Sequence, residues 1–257
     1  MTKLFIFQDT LNFQHPTNKK SVTNVIVESP VDISVNSKYW LTLMCTPTNL
    51  EELASGFIYN EGVIKSFDEI KLIDVCENKT SIDIWLNHSV DFPEKWQRTS
   101  GCTGGTTSVS LTKLPHAEIP QIKVSSRKIT NLVNELLANQ DLYSQSGGVH
   151  SSAISEGESL LVVMEDIGRH NTLDKIAGWL LSNKGKFNPS IVLTTGRISS
   201  EMLQKSNRIG ASIVVSRTSP SSLAIKLAQE SGICIIGYAR RNKFKIYTNS
   251  EFVSFSD

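Results

Sequence analysis

From Ser126 onward the sequence alternates between two hydrophobic periods, and this alternation restricts the fold more than any other feature of the chain. Ile129, Leu132, Val133, Leu136 and Leu137 recur at helical spacing and predict an amphipathic helix. A short apolar run over 160–164 reads as a strand, with a helix following to about Leu181. Residues 191–194 read as a strand, 199–210 as a helix and 211–216 as a strand. Pro220 suits the first turn of a helix capped by Ser219. Residues 233–238 then form a buried strand, and 243–248 a last edge strand. Strands separated by helices predict a largely parallel sheet with helices on both faces.

The first half reads differently. Strand-rich runs over 22–28, 31–35 and 39–44 break at Ser29-Pro30 and Asn36-Ser37. One helix interrupts them: Thr48 and Glu51 fit a capping box, and Leu50, Leu53, Ala54, Phe57 and Ile58 share a face. Gly62 is placed to stop it. Ile82, Ile84 and Leu86 alternate as in a half-buried strand. Between the halves, 87–125 reads as an irregular stretch holding Pro93, Pro115 and Pro120. A loop of that length in a compact protein is functional or disordered. The expected organisation is an N-terminal α+β part over 1–115, ending in a loop around Cys102, and an α/β domain over 120–257.

Composition removes several function classes. With 39% apolar and 20% charged residues the chain is globular in character. A net charge of +1 supplies no field for holding nucleic acid or an anionic membrane, so an anion site must come from local placement. The N-terminal apolar run is too short for a signal peptide, and no stretch is long and apolar enough to span a bilayer, so a cytoplasmic location is expected. Cys45, Cys76, Cys102 and Cys234 form no metal-type pair, so no metal is expected and free thiols are the default in a reducing compartment.

Cys102 is the first candidate for chemistry. It lies in Arg98-Thr-Ser-Gly-Cys-Thr-Gly-Gly-Thr-Thr107, where small neighbours leave a thiol accessible and let the backbone turn around it. Amides in such a turn, with Arg98 nearby, favour the thiolate. A thiolate is what sulfur transfer requires, because it must attack a sulfane sulfur and hold it as a persulfide. An incidental cysteine in a flexible loop fits the residues equally well. Cys234 falls inside an apolar strand and Cys45 and Cys76 at strand ends, so these three read as packing residues.

Glu165-Asp-Ile-Gly-Arg-His-Asn-Thr-Leu-Asp-Lys175 runs from a strand into a helix. Asp166, His170 and Asp174 are spaced four apart, so carboxylates could flank the imidazole on one helical face. A structural network tying helix to sheet is the favoured reading, and three ligands on one helix enclose a metal poorly. His150 reads as an interior histidine.

Three successive strand ends carry arginine and hydroxyl groups. Thr195, Gly196, Arg197 and Ser199 stand between a strand and a helix start, where free amides accept anions. Ser216-Arg217-Thr-Ser-Pro220 repeats the arrangement, and Tyr238-Ala239-Arg240-Arg241-Asn242-Lys243 repeats it again. Each alone is an ordinary capped turn. Together they should line one edge of the sheet.

These segments, taken together, resemble the formate dehydrogenase accessory sulfurtransferase family, FdhD. The likeness spans nearly the whole chain, through Glu28 to Val35, Glu51 to Phe57, Asn60 to Ile64, Gly147-Gly-Val-His150, Glu165 to Asn171 with Asp174-Lys175, Thr195 to Met202, Ser216 to Pro220 with Leu223 to Ile225, and Gly237-Tyr-Ala-Arg240. The resemblance implies a sulfur carrier that takes sulfur from a cysteine desulfurase. It delivers that sulfur to the molybdenum or tungsten bis-molybdopterin guanine dinucleotide cofactor of the formate dehydrogenase catalytic subunit. It also implies a cytidine deaminase-like layered sheet with an added N-terminal α+β part, and a homodimer. Cys102 matches the persulfide cysteine, and the stretch from Tyr238 to Lys243 matches a cofactor-binding segment for which GDP-like nucleotides are mimics. One departure stands out: many members carry C-x-x-C here, whereas this chain has Cys102-Thr-Gly-Gly105. Zinc deaminase chemistry, suggested by fold analogy, needs H-x-E and P-C-x-x-C, and His150-Ser-Ser152 lacks the glutamate.

Overall fold

The structure is a computed structural model, and it describes residues 3–14, 17–91, 97, 98, 106, 107, 114, 120 and 122–255. The chain opens with β1 (Phe5–Gln14) and β2 (Thr17–Ile26), an antiparallel ribbon of ten residue pairs that the sequence reading foresaw only at its end. Next come β3 (Ser29–Val35), β4 (Lys38–Cys45), α1 (Leu50–Asn60), β5 (Ile70–Val75) and β6 (Ser81–Leu86). The sheet order is β4-β3-β6-β5. Asn36 and Ser37 turn β3 into β4 with φ of 50° and 66°, the left-handed pair that suits a tight hairpin.

Helix α1 begins one residue later than its sequence suggests. Asn49 occupies the N-cap without a side-chain cap bond, and the Thr48 hydroxyl instead accepts from Lys175 Nζ at 3.2 Å. A capping box does form, but at Ser66 and Glu69 on a short 3-10 turn. Gly62, at φ 76°, ends α1 as expected. Leu53, Phe57 and Ile58 of α1 close over Val31, Ile33, Ile82 and Ile84 of the sheet to make the first core.

Short pairings follow: β7 (Gln97–Arg98) with β8 (Thr106–Thr107), and β9 (Val124–Ser125) with the last strand of the chain. Then come α2 (Ser126–Ala138), α3 (Asp141–Ser146), β10 (His150–Ser155), β11 (Leu160–Asp166), α4 (Arg169–Ser182) and β12 (Ile191–Thr194). The remaining elements are α5 (Ser200–Ile209), β13 (Ile213–Ser216), α6 (Ser222–Ser231), β14 (Cys234–Arg240), β15 (Lys243–Ile246) and β16 (Val253–Ser254).

The larger sheet has six strands in the order β11-β10-β12-β13-β14-β15. It is mixed: β12, β13 and β14 are parallel, whereas β10, β11 and β15 join antiparallel. This corrects the expectation of a largely parallel sheet, and the reason is β10. Its sequence, HSSAIS, has no continuous apolar run, yet it lies between β11 and β12 with Ser151, Ser152 and Ser155 buried. Hydrogen bonds satisfy them: Ser152 Oγ reaches Thr194 Oγ1 at 2.9 Å and Thr172 Oγ1 at 2.7 Å, and Ser151 Oγ donates to Glu165 at 3.0 Å. Helices α4, α5 and α6 cover one face and α2 the other, so coverage of both faces is as expected. Helix α6 is capped by Ser221, whose Oγ accepts from Ala224 N at 3.2 Å, so neither Ser219 nor Pro220 opens it. Pro220 instead bridges to Ile198.

The two sheets meet through α1 and α4, which cross closely because Gly56 and Gly178 carry no side chain at the contact. Buried ion pairs surround the crossing. Lys175, fully buried, bonds Asp166 at 2.7 Å and also donates to Thr46 O and Glu165 O. Asp174 binds Lys205 at 2.6 Å and accepts from Asn60 Nδ2 at 2.7 Å. Thr46 and Asn60 come from the first half, so the network ties the halves together. Among the described residues no helix is long and apolar enough to cross a membrane.

Candidate functional site: a cavity at the strand ends

Because β12 and β13 run parallel, their carboxyl ends open on the same edge of the sheet, and β10 begins there. That edge holds a cavity of about 500 Å³, whose wall includes His150, Thr195, Arg217, Thr218 and Arg240. Each strand-end turn found in the sequence therefore contributes at least one residue to one space. Gln140, Tyr143 and the loop Gly147-Gly148 form another side. Glu165 holds α3 in place by accepting from Leu142 N at 2.6 Å and Tyr143 N at 3.1 Å.

The candidate residues divide by role. Thr195 is fixed by β10: its N donates to Ser151 O at 2.9 Å, and its Oγ1 accepts from Ser151 N at 3.0 Å. Gly196 lies against Arg169, where a Cβ would come within 2.9 Å of the Arg169 Cβ. Arg197 is exposed and lies off the cavity wall. Ser199 is the N-cap of α5 and accepts from Met202 N at 3.3 Å. Arg217 N donates to Thr194 O at 3.2 Å, and its buried Nε has no hydrogen-bond partner among the described residues. Arg217 itself lines the cavity and brings a fixed positive charge to its wall.

The last turn is more divided. Tyr238 is 41% exposed with φ of 52°, a left-handed conformation uncommon for a bulky side chain. Ala239 is buried in the core under α2. Arg241 and Asn242 are exposed at the tip, and the Arg241 carbonyl accepts from Asn134 Nδ2 at 3.4 Å. Lys243 lines a second cavity of about 250 Å³ with Tyr238, Arg240, Phe244 and Lys245. Lys245 Nζ stands 5.2 Å from the Tyr238 ring centroid. Arg240 belongs to both cavities.

The histidine readings change. Asp166 and Asp174 do not flank His170, because both are committed to buried lysines. His170 Nδ1 instead faces Glu201 Oε2 at 3.0 Å, with Ser199 Oγ 3.5 Å from Nε2. The segment is thus the helix-to-sheet network that the sequence favoured. His150, read as interior, stands on the cavity wall. No sequence signal separates it from an interior histidine, because β10 itself has no clear pattern.

Of the thiol readings, the one for Cys76 needs correction. Cys102 lies outside the described residues. Cys45 and Cys234 are buried packing residues, and burial pushes each thiol up to about 12. Cys76 is different. It is partly exposed in the β5–β6 turn, and its Sγ accepts from Thr80 N and Ser81 N, each at 3.2 Å. Hydrogen bonds from Ser81 and Thr80 bring its pKa down to about 7.

Comparison with known proteins shows the family and the overall fold. The sequence matches the FdhD/NarQ family over residues 26–254. A Bacillus subtilis protein named sulfur carrier protein FdhD is 33% identical over 255 residues, covering 97% of each chain. A Staphylococcus aureus (strain Newman) protein of the same name is 32% identical over 240 residues, covering 90% of each. The crystal structure of a Desulfotalea psychrophila protein described as a formate dehydrogenase accessory protein superposes with a TM-score of 0.81 at 29% identity, covering 98% of this chain and all of that one. On motif, length and fold together, the chain belongs to the FdhD/NarQ family.

Proposed function

We propose that this protein is a sulfur carrier. It accepts sulfane sulfur on Cys102 from a cysteine desulfurase and passes it to a molybdenum or tungsten bis-molybdopterin guanine dinucleotide, bound as substrate, for formate dehydrogenase. The observation that carries the reading is the convergence of Thr195, Arg217 and Arg240 on the wall of one polar cavity. A diphosphate fits such a wall, and Tyr238 beside Lys245 offers a face on which a purine can stack. The names of the relatives supply the sulfur and the formate dehydrogenase association. The same reading carries a cytidine deaminase-like layering of the larger sheet, a division near residues 115–120, a homodimer and a cytoplasmic location.

Sulfur moves in two steps. The Cys102 thiolate attacks the outer sulfur of the donor persulfide; a new S–S bond forms, the old one breaks, and the donor leaves as thiolate. Delivery as a sulfido ligand takes two electrons, which a thiol reductant supplies by becoming a disulfide. The loop around Cys102 holds no second cysteine, so that thiol does not come from it.

The test is intact-mass spectrometry after incubation with a cysteine desulfurase and cysteine. Wild type should gain reductant-labile sulfur and Cys102→Ala should not. The variant should still bind GDP, and it should fail to activate formate dehydrogenase. Absence of gain in wild type, with the desulfurase active, would leave a cofactor escort, a role that the missing second cysteine favours.

A further inference from the structure

The strand-end turns do not account for His150. It is the first residue of β10, opposite Asp166 on β11, and its half-buried imidazole lines the larger cavity with Arg217 and Arg240. Its Nδ1 is 3.4 Å from Thr195 Oγ1. That hydroxyl oxygen already accepts from Ser151 N at 3.0 Å, so its proton is free to point at Nδ1. With the Thr195 hydroxyl donating to Nδ1, the neutral ring carries its proton on Nε2. Nε2 finds no partner among the described residues, so this N–H is left for whatever occupies the cavity.

The charged groups around the ring select the kind of occupant. Arg169 and His170 come from the start of α4, and Arg217 and Arg240 from the turns after β13 and β14. Asp166 is the nearby carboxylate, and Lys175 holds it at 2.7 Å. Burial first, then Arg169 and His170, hold the imidazole below its ordinary pKa. The ring is thus a neutral donor near pH 7, and an anion is the ligand that would draw a second proton onto it.

Resting on the nucleotide reading above, we infer that His150 contacts the ligand directly, its Nε2–H donating to a phosphate oxygen of a nucleoside diphosphate held by Arg217 and Arg240. Protonation of the bound imidazole adds a positive charge beside the phosphates, so as pH falls the wild type gains affinity relative to a variant that cannot take up this proton.

Calorimetric titration of the full chain with GDP tests this, using wild type, His150→Phe, His150→Gln and Arg217→Ala at about pH 8 and about pH 5.5. Losing one hydrogen bond to a charged group predicts about tenfold weaker binding by His150→Phe at the higher pH. Gln can place an N–H near the Nε2 position, so His150→Gln should stay within about threefold there. Wild type should then gain on His150→Gln at the lower pH; the proton that GDP itself takes up is common to both and cancels in the ratio. Wild-type affinity in His150→Phe, with Arg217→Ala weakened, would overturn the His150 contact and keep the nucleotide site. A wild-type-to-Gln ratio that does not change with pH would overturn the charge it is said to gain. Wild-type affinity in Arg217→Ala, or no binding by wild type, would reject the nucleotide site and the His150 contact with it. Should His150→Phe fail to fold, the pH dependence of the Gln ratio decides alone.

Discussion

Gly56 of α1 and Gly178 of α4 meet backbone to backbone. A Cβ at Gly56 would lie 2.6 Å from Gly178 N and nearer still to Asp174 O, and one at Gly178 would lie 2.6 Å from Ser55 Oγ and nearer still to Glu52 O. Alanine in a helix ordinarily gains about 1 kcal/mol over glycine. Overpacking against rigid backbone costs about 3 kcal/mol and outweighs that gain. Gly178→Ala should therefore lower the urea midpoint at unchanged slope; an unchanged or higher midpoint would show that the helices do not cross this closely.

Lys175 holds the buried Asp166 carboxylate at 2.7 Å, with neither side chain exposed. Removing one partner strands the other charge, at a cost of about 3–5 kcal/mol. Lys175→Met should be strongly destabilised, and adding Asp166→Asn should restore part of the loss. A double-mutant cycle with no coupling between the two sites would contradict the pairing.

Cys76 should be the reactive thiol among the described cysteines. Its pKa near 7 puts about half of it in thiolate form at neutral pH, whereas Cys45 and Cys234, near 12 and buried, stay protonated. Brief iodoacetamide treatment at pH 7, read by peptide mass spectrometry, should label Cys76 first. Its rate should fall as pH drops below 7, because the thiolate is lost. Equal labelling of Cys45 in the folded protein would refute this ordering.

Tyr238 holds a left-handed backbone conformation at φ 52° while its ring stays 41% exposed. Such a conformation costs a non-glycine residue about 1 kcal/mol or more. Tyr238→Gly should keep thermal stability within about 1 kcal/mol of wild type, because glycine's greater unfolded-state freedom offsets the strain relieved, while it weakens GDP binding. A variant that is less stable yet binds GDP normally would mean that the ring packs for structure.

Much of this protein was legible in the sequence because its signals are local. The period of Ile129 to Leu137 specified α2, the run Ile191–Thr194 specified β12, and hydroxyl and arginine residues after consecutive strands pointed to one edge of the sheet. Tertiary structure decided what depends on partners far along the chain. Ser151 and Ser152 make an unremarkable polar run until Glu165, Thr172 and Thr194 satisfy them in the middle of a sheet. The same holds for His170, which turned to Glu201 because buried lysines had taken both aspartates, and for Cys76, whose thiol is tuned by amides that only the β5–β6 turn delivers. Periodicity reports which face of an element is apolar. It carries no record of which polar group, dozens of residues away, will make a buried hydroxyl, carboxylate or imidazole affordable, and that pairing decided where the strand-end cavity lies and which residues line it.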